Sequence, residues 1–129
     1  MAMNSRQEEE RMQRRLESLY REAQGWAATW GLSRLMRDVD LEFSDAMGSA
    51  LGRCDLRTGL VSLNGVLLLD GNEELLRETL CHELAHIVAS VRYGPRIAEH
   101  GVEWSEYMAR AGFVPRPVIA ASLVVGLRP

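Results

Sequence analysis

The chain contains three histidines, and the spacing of two of them is typical of a metal site. His82 and His86 are the ends of an H-E-x-x-H sequence, with Glu83 directly after the first histidine. Residues four apart in a helix lie about 40° apart around its axis and about 6 Å apart along it, so both imidazoles can converge on one tetrahedral zinc ion. In such a helix Glu83 can reach a zinc-activated water and accept its proton. The motif therefore predicts a Zn²⁺ site with Glu83 as the catalytic base.

A catalytic zinc site needs a third protein ligand and keeps its fourth position for water. The remaining histidine, His100, lies fourteen residues beyond His86 and is the expected third ligand. The adjacent Glu99 is an alternative, because it would give the His/His/Glu ligand set that other catalytic zinc sites use. A short motif of this kind also occurs by chance, so its structural context must be tested.

The residues around the motif predict a helix that ends near Tyr93. Asn72 can cap its first turn, and Gly94 and Pro95 follow its last turn. The apolar side chains gather on one side of the helical wheel, and the two motif histidines fall on roughly the opposite side. This apolar face consists of Leu76, Leu80, Leu84, Ile87, Val88 and Val91. The predicted helix therefore has a core face and a second face that presents both histidines to a cleft.

The first half of the chain predicts one helix and a small sheet. After a loose tail over residues 1–5, an amphipathic helix is expected from about Arg6 to Trp30. Alternating apolar residues predict a half-buried strand around Val39 to Phe43. Residues 49–63 are typical of a hairpin with its turn at 57–59. We expect these segments to form a small antiparallel three-stranded sheet.

The remaining segments complete an α+β fold of the zincin-like kind. Gly48 and Gly52 indicate a bulge or a close approach of the backbone. A short helix from about Val102 to Ala111 is expected to follow the metal helix and to carry the third ligand. The apolar residues 113–129 are expected to pack on the domain as an extended segment or a short helix.

Composition limits the class of protein. Residues 1–129 fit one domain, and 47% hydrophobic with 26% charged residues fits a globular protein. No apolar run approaches the roughly 20 residues that span a bilayer, and the polar N-terminus is unlike a secretory signal, so a cytoplasmic location is expected. A net charge of −3 argues against a dedicated nucleic-acid binder. Cys54 and Cys81 form no C-x-x-C pair and are interpreted as small buried apolar residues.

Further candidates near the motif have weaker signals. Trp104 and Met108 are expected to pack in the core around the third ligand. Glu103 is either a partner for a ligand histidine or a solvated residue in the first turn of its helix.

The motif and the segment after it resemble the SprT-like metallopeptidase domain that is shared with Spartan-type proteins. The resemblance rests on His82-Glu83-Leu84-Ala85-His86, on His100-Gly101-Val102-Glu103-Trp104, and on Met108 and Gly112. It extends over roughly residues 30–117. It implies that His100 is the third zinc ligand, that Glu83 is the catalytic acid and base, and that the protein is a metalloendopeptidase that cleaves protein or peptide substrates.

The same resemblance raises two alternatives. Many bacterial relatives carry a C-terminal cysteine zinc ribbon, and Spartan-type proteins carry DNA- and partner-binding segments. The sequence ends at Pro129 with neither, so a bare protease core is expected. The alternatives are a non-catalytic zinc-binding domain and a DNA-associated crosslink-repair protease that needs an activator. DNA is implied as a partner by the resemblance and is not supported by the charge, and no membrane partner is expected.

Overall fold

The computed structural model describes residues 2–127, and this part of the chain forms three α-helices and one three-stranded sheet. Met1, Arg128 and Pro129 lie outside the described residues. In chain order the elements are α1 (Ser5–Thr29), β1 (Asp40–Ser44), β2 (Gly52–Asp55), β3 (Leu60–Asn64), α2 (Glu73–Tyr93) and α3 (Val102–Arg110). None of these helices is long and apolar enough to cross a membrane. The predicted α+β class is confirmed.

Helix α1 begins at Ser5 because Asn4 and Gln7 form a capping box. The Asn4 side chain accepts a hydrogen bond from the Gln7 backbone at 2.9 Å, and the Gln7 side chain accepts one from the Asn4 backbone at 3.0 Å. The helix therefore starts one residue before Arg6, and residues 4 and 5 belong to its first turn rather than to the predicted tail 1–5. Its buried residues are Leu19, Ala23, Trp26 and Ala27.

The sheet is mixed, which corrects the prediction of an antiparallel sheet. Strand β3 lies between β1 and β2. It pairs with β2 as the expected antiparallel hairpin, with Asp55 opposite Leu60, and it pairs in parallel with β1, with Asp40 opposite Leu60. Alternating apolar residues identify strands but do not say which strands are neighbours. Since β2 reverses the chain, β3 runs in the direction of β1 and takes the place beside it.

Helix α2 packs its apolar face into the core, as predicted. Leu76, Leu80, Leu84 and Val88 are at most 1% exposed. Val91 was assigned to the same face and is 73% exposed, so that assignment is wrong. The last turn of α2 borders an open groove lined by Leu32 and Leu56 instead of packing on the sheet.

The N-terminus of α2 differs from the prediction in one detail. Asn72 holds the N-cap position, but its side chain makes no capping hydrogen bond. Its Nδ2 donates to the Val66 carbonyl at 3.3 Å and to the Val125 carbonyl at 2.9 Å, and its Oδ1 accepts from the Val125 backbone at 2.9 Å. Tertiary partners have therefore replaced the local cap, and Asn72 ties the end of the chain to the start of α2.

Residues 113–127 form a segment that we call the C-terminal strap. It is largely extended, with one 3₁₀ turn at Ala121–Leu123, and it packs on the domain as expected. The Arg116 guanidinium binds the Glu78 carboxylate, with Nε 2.8 Å from Oε2. The Arg116 pair and the Asn72 bonds to Val125 both attach the strap to α2.

Candidate metal centre

The three histidines converge at one point in the cleft between α2, β2 and the start of α3. The Nε2 atoms of His82 and His86 are 3.2 Å apart, those of His86 and His100 are 3.1 Å apart, and those of His100 and His82 are 3.2 Å apart. An Nε2–H group can point at only one neighbour, so hydrogen bonds alone satisfy this triangle poorly. A tetrahedral ion bound by imidazoles at about 2.0–2.1 Å needs nitrogens about 3.3 Å apart. The triangle fits that requirement, and the three histidines can hold a metal ion.

Two different elements supply these side chains. His82 and His86 lie one turn apart on α2, so the helix alone sets their relative position. His100 comes from the loop that leads into α3. In that loop the Gly101 backbone donates a hydrogen bond to the Ala98 carbonyl at 3.1 Å, which makes a tight turn around His100.

The ring of Trp104 packs against all three imidazoles. It is 1% exposed, and its ring centroid lies 4.8 Å from that of His82, 5.6 Å from that of His86 and 4.9 Å from that of His100. Its Nε1 donates a hydrogen bond to the His82 carbonyl at 3.1 Å, which joins α3 to α2. The predicted packing role of Trp104 around the third histidine is confirmed.

Burial keeps two of the histidines neutral. It lowers the pKa of His82 to about 3, and the charges of His86 and His100 lower that pKa further. It also lowers the pKa of His86 to about 4, an effect that His100 strengthens and Glu99 opposes. Both rings are therefore in the form that binds a metal near pH 7. Within residues 2–127 the buried Nδ1 of His82 has no hydrogen-bond partner, so packing against Trp104 orients this ring.

Glu83 lies in the same cleft, beside the first histidine. Its Oε2 is 3.9 Å from His82 Nε2, and its side chain is 11% exposed. Burial raises the pKa of Glu83 to about 7, a hydrogen bond from Cys54 lowers it, and the charge of Glu99 raises it. A carboxyl group with a pKa near the working pH is well suited both to accept and to return a proton.

Strand β2 supplies Cys54, a residue of the cleft that the sequence pattern did not indicate. Cys54 lines the cleft together with Glu83, and burial, followed by the charge of Glu83, raises the pKa of the Cys54 thiol to about 12. Cys54 is only partly buried and acts as a polar partner, which corrects its interpretation as a buried apolar residue. Cys81 is buried, as predicted.

Gly52 allows β2 to approach α2 closely. A Cβ atom at this position would lie 2.7 Å from Thr79 Cγ2 and 3.1 Å from Glu83 Cγ. Such contacts are too short, so only glycine fits without a shift of the neighbouring atoms. The close approach expected at Gly52 is confirmed, whereas the corresponding position at Gly48 is open.

Two cavities meet at His82, Glu83 and Gly52. One has a volume of about 320 Å³ and extends past the other two histidines to Leu56 at the end of β2. The other has a volume of about 180 Å³ and extends towards the C-terminal strap. A larger cavity of about 520 Å³ lies near the end of α2 and has none of the three histidines in its lining.

The two acidic alternatives lie outside the histidine cluster. The group whose ligand atoms all lie within 4.8 Å of one another consists of His82, His86 and His100, and it does not include Glu99. Glu99 is exposed and lines the outer part of the cleft. Glu103 is partly exposed in the first turn of α3 and makes no hydrogen bond to a histidine in the described part of the chain.

The fold and the histidine cluster define an α+β protein with a zincin-like arrangement of metal-binding groups. The chain matches the SprT-like family over residues 10–122, and it belongs to that family.

Curated relatives agree with this assignment. The chain is 31% identical over 99 residues to Protein SprT of Pseudomonas putida strain F1, a match that covers 77% of this chain and 57% of that protein. Protein SprT of Pseudomonas paraeruginosa is also 31% identical over 99 residues, which cover 77% of this chain and 56% of that protein. Protein SprT of Pseudomonas aeruginosa strain PAO1 is 38% identical over 61 residues, 47% of this chain and 37% of that protein. The chain thus spans little more than half the length of the first two relatives. No solved structure matches it.

Proposed function

We propose that this protein is a zinc-dependent metalloendopeptidase that hydrolyses peptide bonds of protein substrates. The observation that carries the proposal is the triangle of three Nε2 atoms with the Glu83 carboxylate 3.9 Å from His82. Structural zinc sites are closed by four protein ligands, whereas catalytic sites use three and leave a position for water. Membership of the SprT-like family supports the same reading.

Each residue of the centre has a distinct role in the proposed reaction. His82, His86 and His100 hold zinc through Nε2, and zinc when bound supplies a Lewis acid that activates water and polarises a carbonyl group. Glu83 accepts the proton of the attacking water and passes it to the leaving amine. Cys54 lies beside Glu83 in the cavity that contains the three histidines.

The substrate backbone pairs with the outer edge of β2. Both β1 and β2 are edge strands, because β3 lies between them. Residues of β2 line the two cavities beside the histidines, and residues of β1 do not. Addition of a strand to a sheet edge is a common way to hold an extended peptide. The sequence alone did not decide which edge strand would hold the substrate, and the position of the cavities favours β2.

The variant Glu83→Gln tests the proposal. Glutamine keeps the size of the side chain and removes the group that accepts the proton, so cleavage of an unfolded protein such as casein should fall by at least about 10²-fold. Zinc content and thermal stability should stay near those of the wild type. Glu99→Gln is the matched control, because it makes the same chemical change on the outer part of the cleft, and it should cleave within a few-fold of the wild type. Cleavage by Glu83→Gln at the wild-type rate would contradict the mechanism.

The same assay separates the two alternatives. The wild-type protein loaded with zinc is assayed alone, with single-stranded DNA and with duplex DNA. Cleavage that requires DNA would favour the activator-dependent protease. An absence of cleavage in all three conditions, together with one tightly bound zinc per chain, would favour a non-catalytic zinc-binding domain.

A further inference from the structure

The C-terminal strap is held at two points on the helix that carries the histidine motif. Arg116 binds Glu78, which is 9% exposed, with Nε 2.8 Å from Oε2. Asn72 binds the backbone of Val125 through two hydrogen bonds of 2.9 Å. Charge-assisted hydrogen bonds such as the one between Arg116 and Glu78 are among the stronger polar contacts. The side chain of Asn72 is buried. The segment between the two anchors is therefore a fixed part of the domain.

Between these anchors the strap forms one wall of the cavity beside Glu83. This cavity has a volume of about 180 Å³. Its lining comprises Pro117, Val118 and Ile119 from the strap, Leu51 and Gly52 from the hairpin, and Thr79, His82 and Glu83 from α2. A cavity of about 150 Å³ can hold a benzene ring, so this cavity has the volume to take one branched aliphatic side chain.

Val118 is a strongly exposed aliphatic residue of this wall. It is 77% exposed, although the strap on both sides of it is anchored. A single exposed valine is not unusual, but this one borders a cavity that also contains Glu83. Pro117, the residue before it, has a fixed φ angle and limits the freedom of the backbone there. A substrate in the cleft would cover Val118 without any rearrangement of the strap.

Gly52 determines which substrate residue reaches this wall. A peptide on the edge of β2 places successive side chains on opposite faces of the sheet. At Gly52 the strand lies directly against Thr79 and Glu83 of α2, and Gly52 lines both this cavity and the cavity beside the other two histidines. A substrate residue that pairs with the strand edge beside Gly52 can therefore direct its side chain into this cavity, and its backbone would lie next to Glu83.

We propose that Val118 and Ile119 are specificity-determining residues that select a branched aliphatic side chain in the substrate residue next to the scissile bond. This inference rests on the proposed peptidase function. An acidic side chain would lose hydration against the strap and would lie near the Glu83 carboxylate of the same cavity, and charged groups are costly to desolvate. A valine, leucine or isoleucine would bury its apolar surface and that of Val118 together.

The test introduces a positive charge at Val118. Its effect is measured by the cleavage of a peptide library with random residues around the cleaved bond. The wild type should enrich valine, leucine and isoleucine at one position adjacent to that bond. In Val118→Arg the same position should change its preference to aspartate and glutamate, and kcat/KM for the aliphatic peptide should fall about 10-fold or more. Val114→Arg is the matched control, because Val114 lies in the same strap, is 79% exposed and does not line the cavity. It should leave the profile unchanged.

Binding provides a second readout that does not depend on turnover. Fluorescence anisotropy measures the affinity of a labelled valine peptide and of its aspartate counterpart for Glu83→Gln and for Glu83→Gln with Val118→Arg. The order of the two affinities should reverse between these proteins. A wild type that cleaves, together with an unchanged library profile in Val118→Arg, would overturn this inference and leave the peptidase proposal intact. A wild type that cleaves nothing would overturn both.

Discussion

The two long helices of this protein are similar in length and differ in what lies opposite their apolar faces. Helix α1 has 25 residues, and its outer face consists of exposed side chains of both charges. Helix α2 has 21 residues and is buried on almost every side. Its buried residues include four polar ones, which are Glu78, Thr79, His82 and Glu83.

The polar groups of the two helices have different energetic consequences. On α1 the pair between Arg6 and Glu10 has side chains that are 87% and 52% exposed, and such pairs contribute little to stability. On α2 a polar side chain must recover its lost hydration from a partner, or it destabilises the fold. Glu78 recovers it from Arg116, and Thr79 donates a hydrogen bond to the Leu75 carbonyl at 2.7 Å. His82 and His86 face each other and His100 instead, so α2 supplies two of the three histidines that can hold a metal ion.

The largest effect is expected from the loss of a ligand. The wild-type protein should bind about one zinc per chain, and His100→Ala should lose most of that zinc and reduce cleavage to background, because two histidines cannot complete the site. Elemental analysis after gel filtration measures the zinc content. Glu99→Ala is the control and should retain zinc. If Glu99→Ala lost the metal and His100→Ala kept it, the assignment of the third ligand would be wrong.

The core face of α2 gives the next largest effect, and this effect is on stability. Leu80 is 0% exposed, and its replacement by alanine should lower the free energy of unfolding by about 2–5 kcal/mol, through lost burial and a cavity. Urea denaturation followed by circular dichroism measures this change. Gln13→Ala, at an exposed position of α1, should change it by less than about 0.5 kcal/mol. Zinc content of folded Leu80→Ala should be unchanged, and equal destabilisation by both variants would contradict the comparison.

Local patterns were sufficient to predict the helices and the histidine motif. Helix α2 was expected to end near Tyr93 and does so, because the Gly94-Pro95 pair stops it. The convergence of His82 and His86 follows from helical geometry alone. The approach of His100 did not follow from spacing, and the family resemblance supported it before the structure brought the three rings together.

Features that depend on packing between distant segments were not predictable in the same way. The parallel pairing of β1 with β3 depends on which strand occupies the centre of the sheet, and no local pattern encodes that. The contribution of Cys54 to the cleft depends on the position of β2 against α2. The strap was expected to pack on the domain, but its Arg116 and Val125 anchors join residues 38 and 53 positions apart. Of these packing features, only the close backbone approach at Gly52 was predicted from the sequence.

A smaller effect is expected where β2 touches α2. Gly52→Ala introduces a Cβ atom 2.7 Å from Thr79 Cγ2, and overpacking of this kind costs about 1–3 kcal/mol. Thr79→Ser removes that methyl group and keeps the hydroxyl, so the double variant should recover part of the lost stability. Gly25→Ala on α1 is the control, because nothing lies within 4 Å of its Cβ position, and it should be stabilising by about 0.5–1 kcal/mol. Thermal denaturation of Gly52→Ala, Thr79→Ser, the double variant and Gly25→Ala measures these changes in stability. Gly52→Ala should destabilise the fold and Gly25→Ala should stabilise it. If Thr79→Ser changed stability by the same amount with and without Gly52→Ala, the steric explanation would be contradicted.

The smallest effect is expected from the outer face of α1. Arginines are frequent there, but Arg6 pairs with Glu10, and Arg11 pairs with Asp70 at 3.1 Å, so acidic groups offset part of their charge. With a net charge of −3, the protein should bind duplex DNA only non-specifically at physiological salt, with a Kd on the order of 10⁻⁴ to 10⁻⁶ M. Replacement of Arg14 and Arg15 by glutamine should weaken this binding by a few-fold at most and leave cleavage unchanged. Fluorescence anisotropy at several salt concentrations measures both the Kd and its salt dependence. A sub-micromolar Kd that Arg14→Gln and Arg15→Gln abolish would contradict the comparison, because α1 would then carry a binding function, and it would favour the DNA-associated protease.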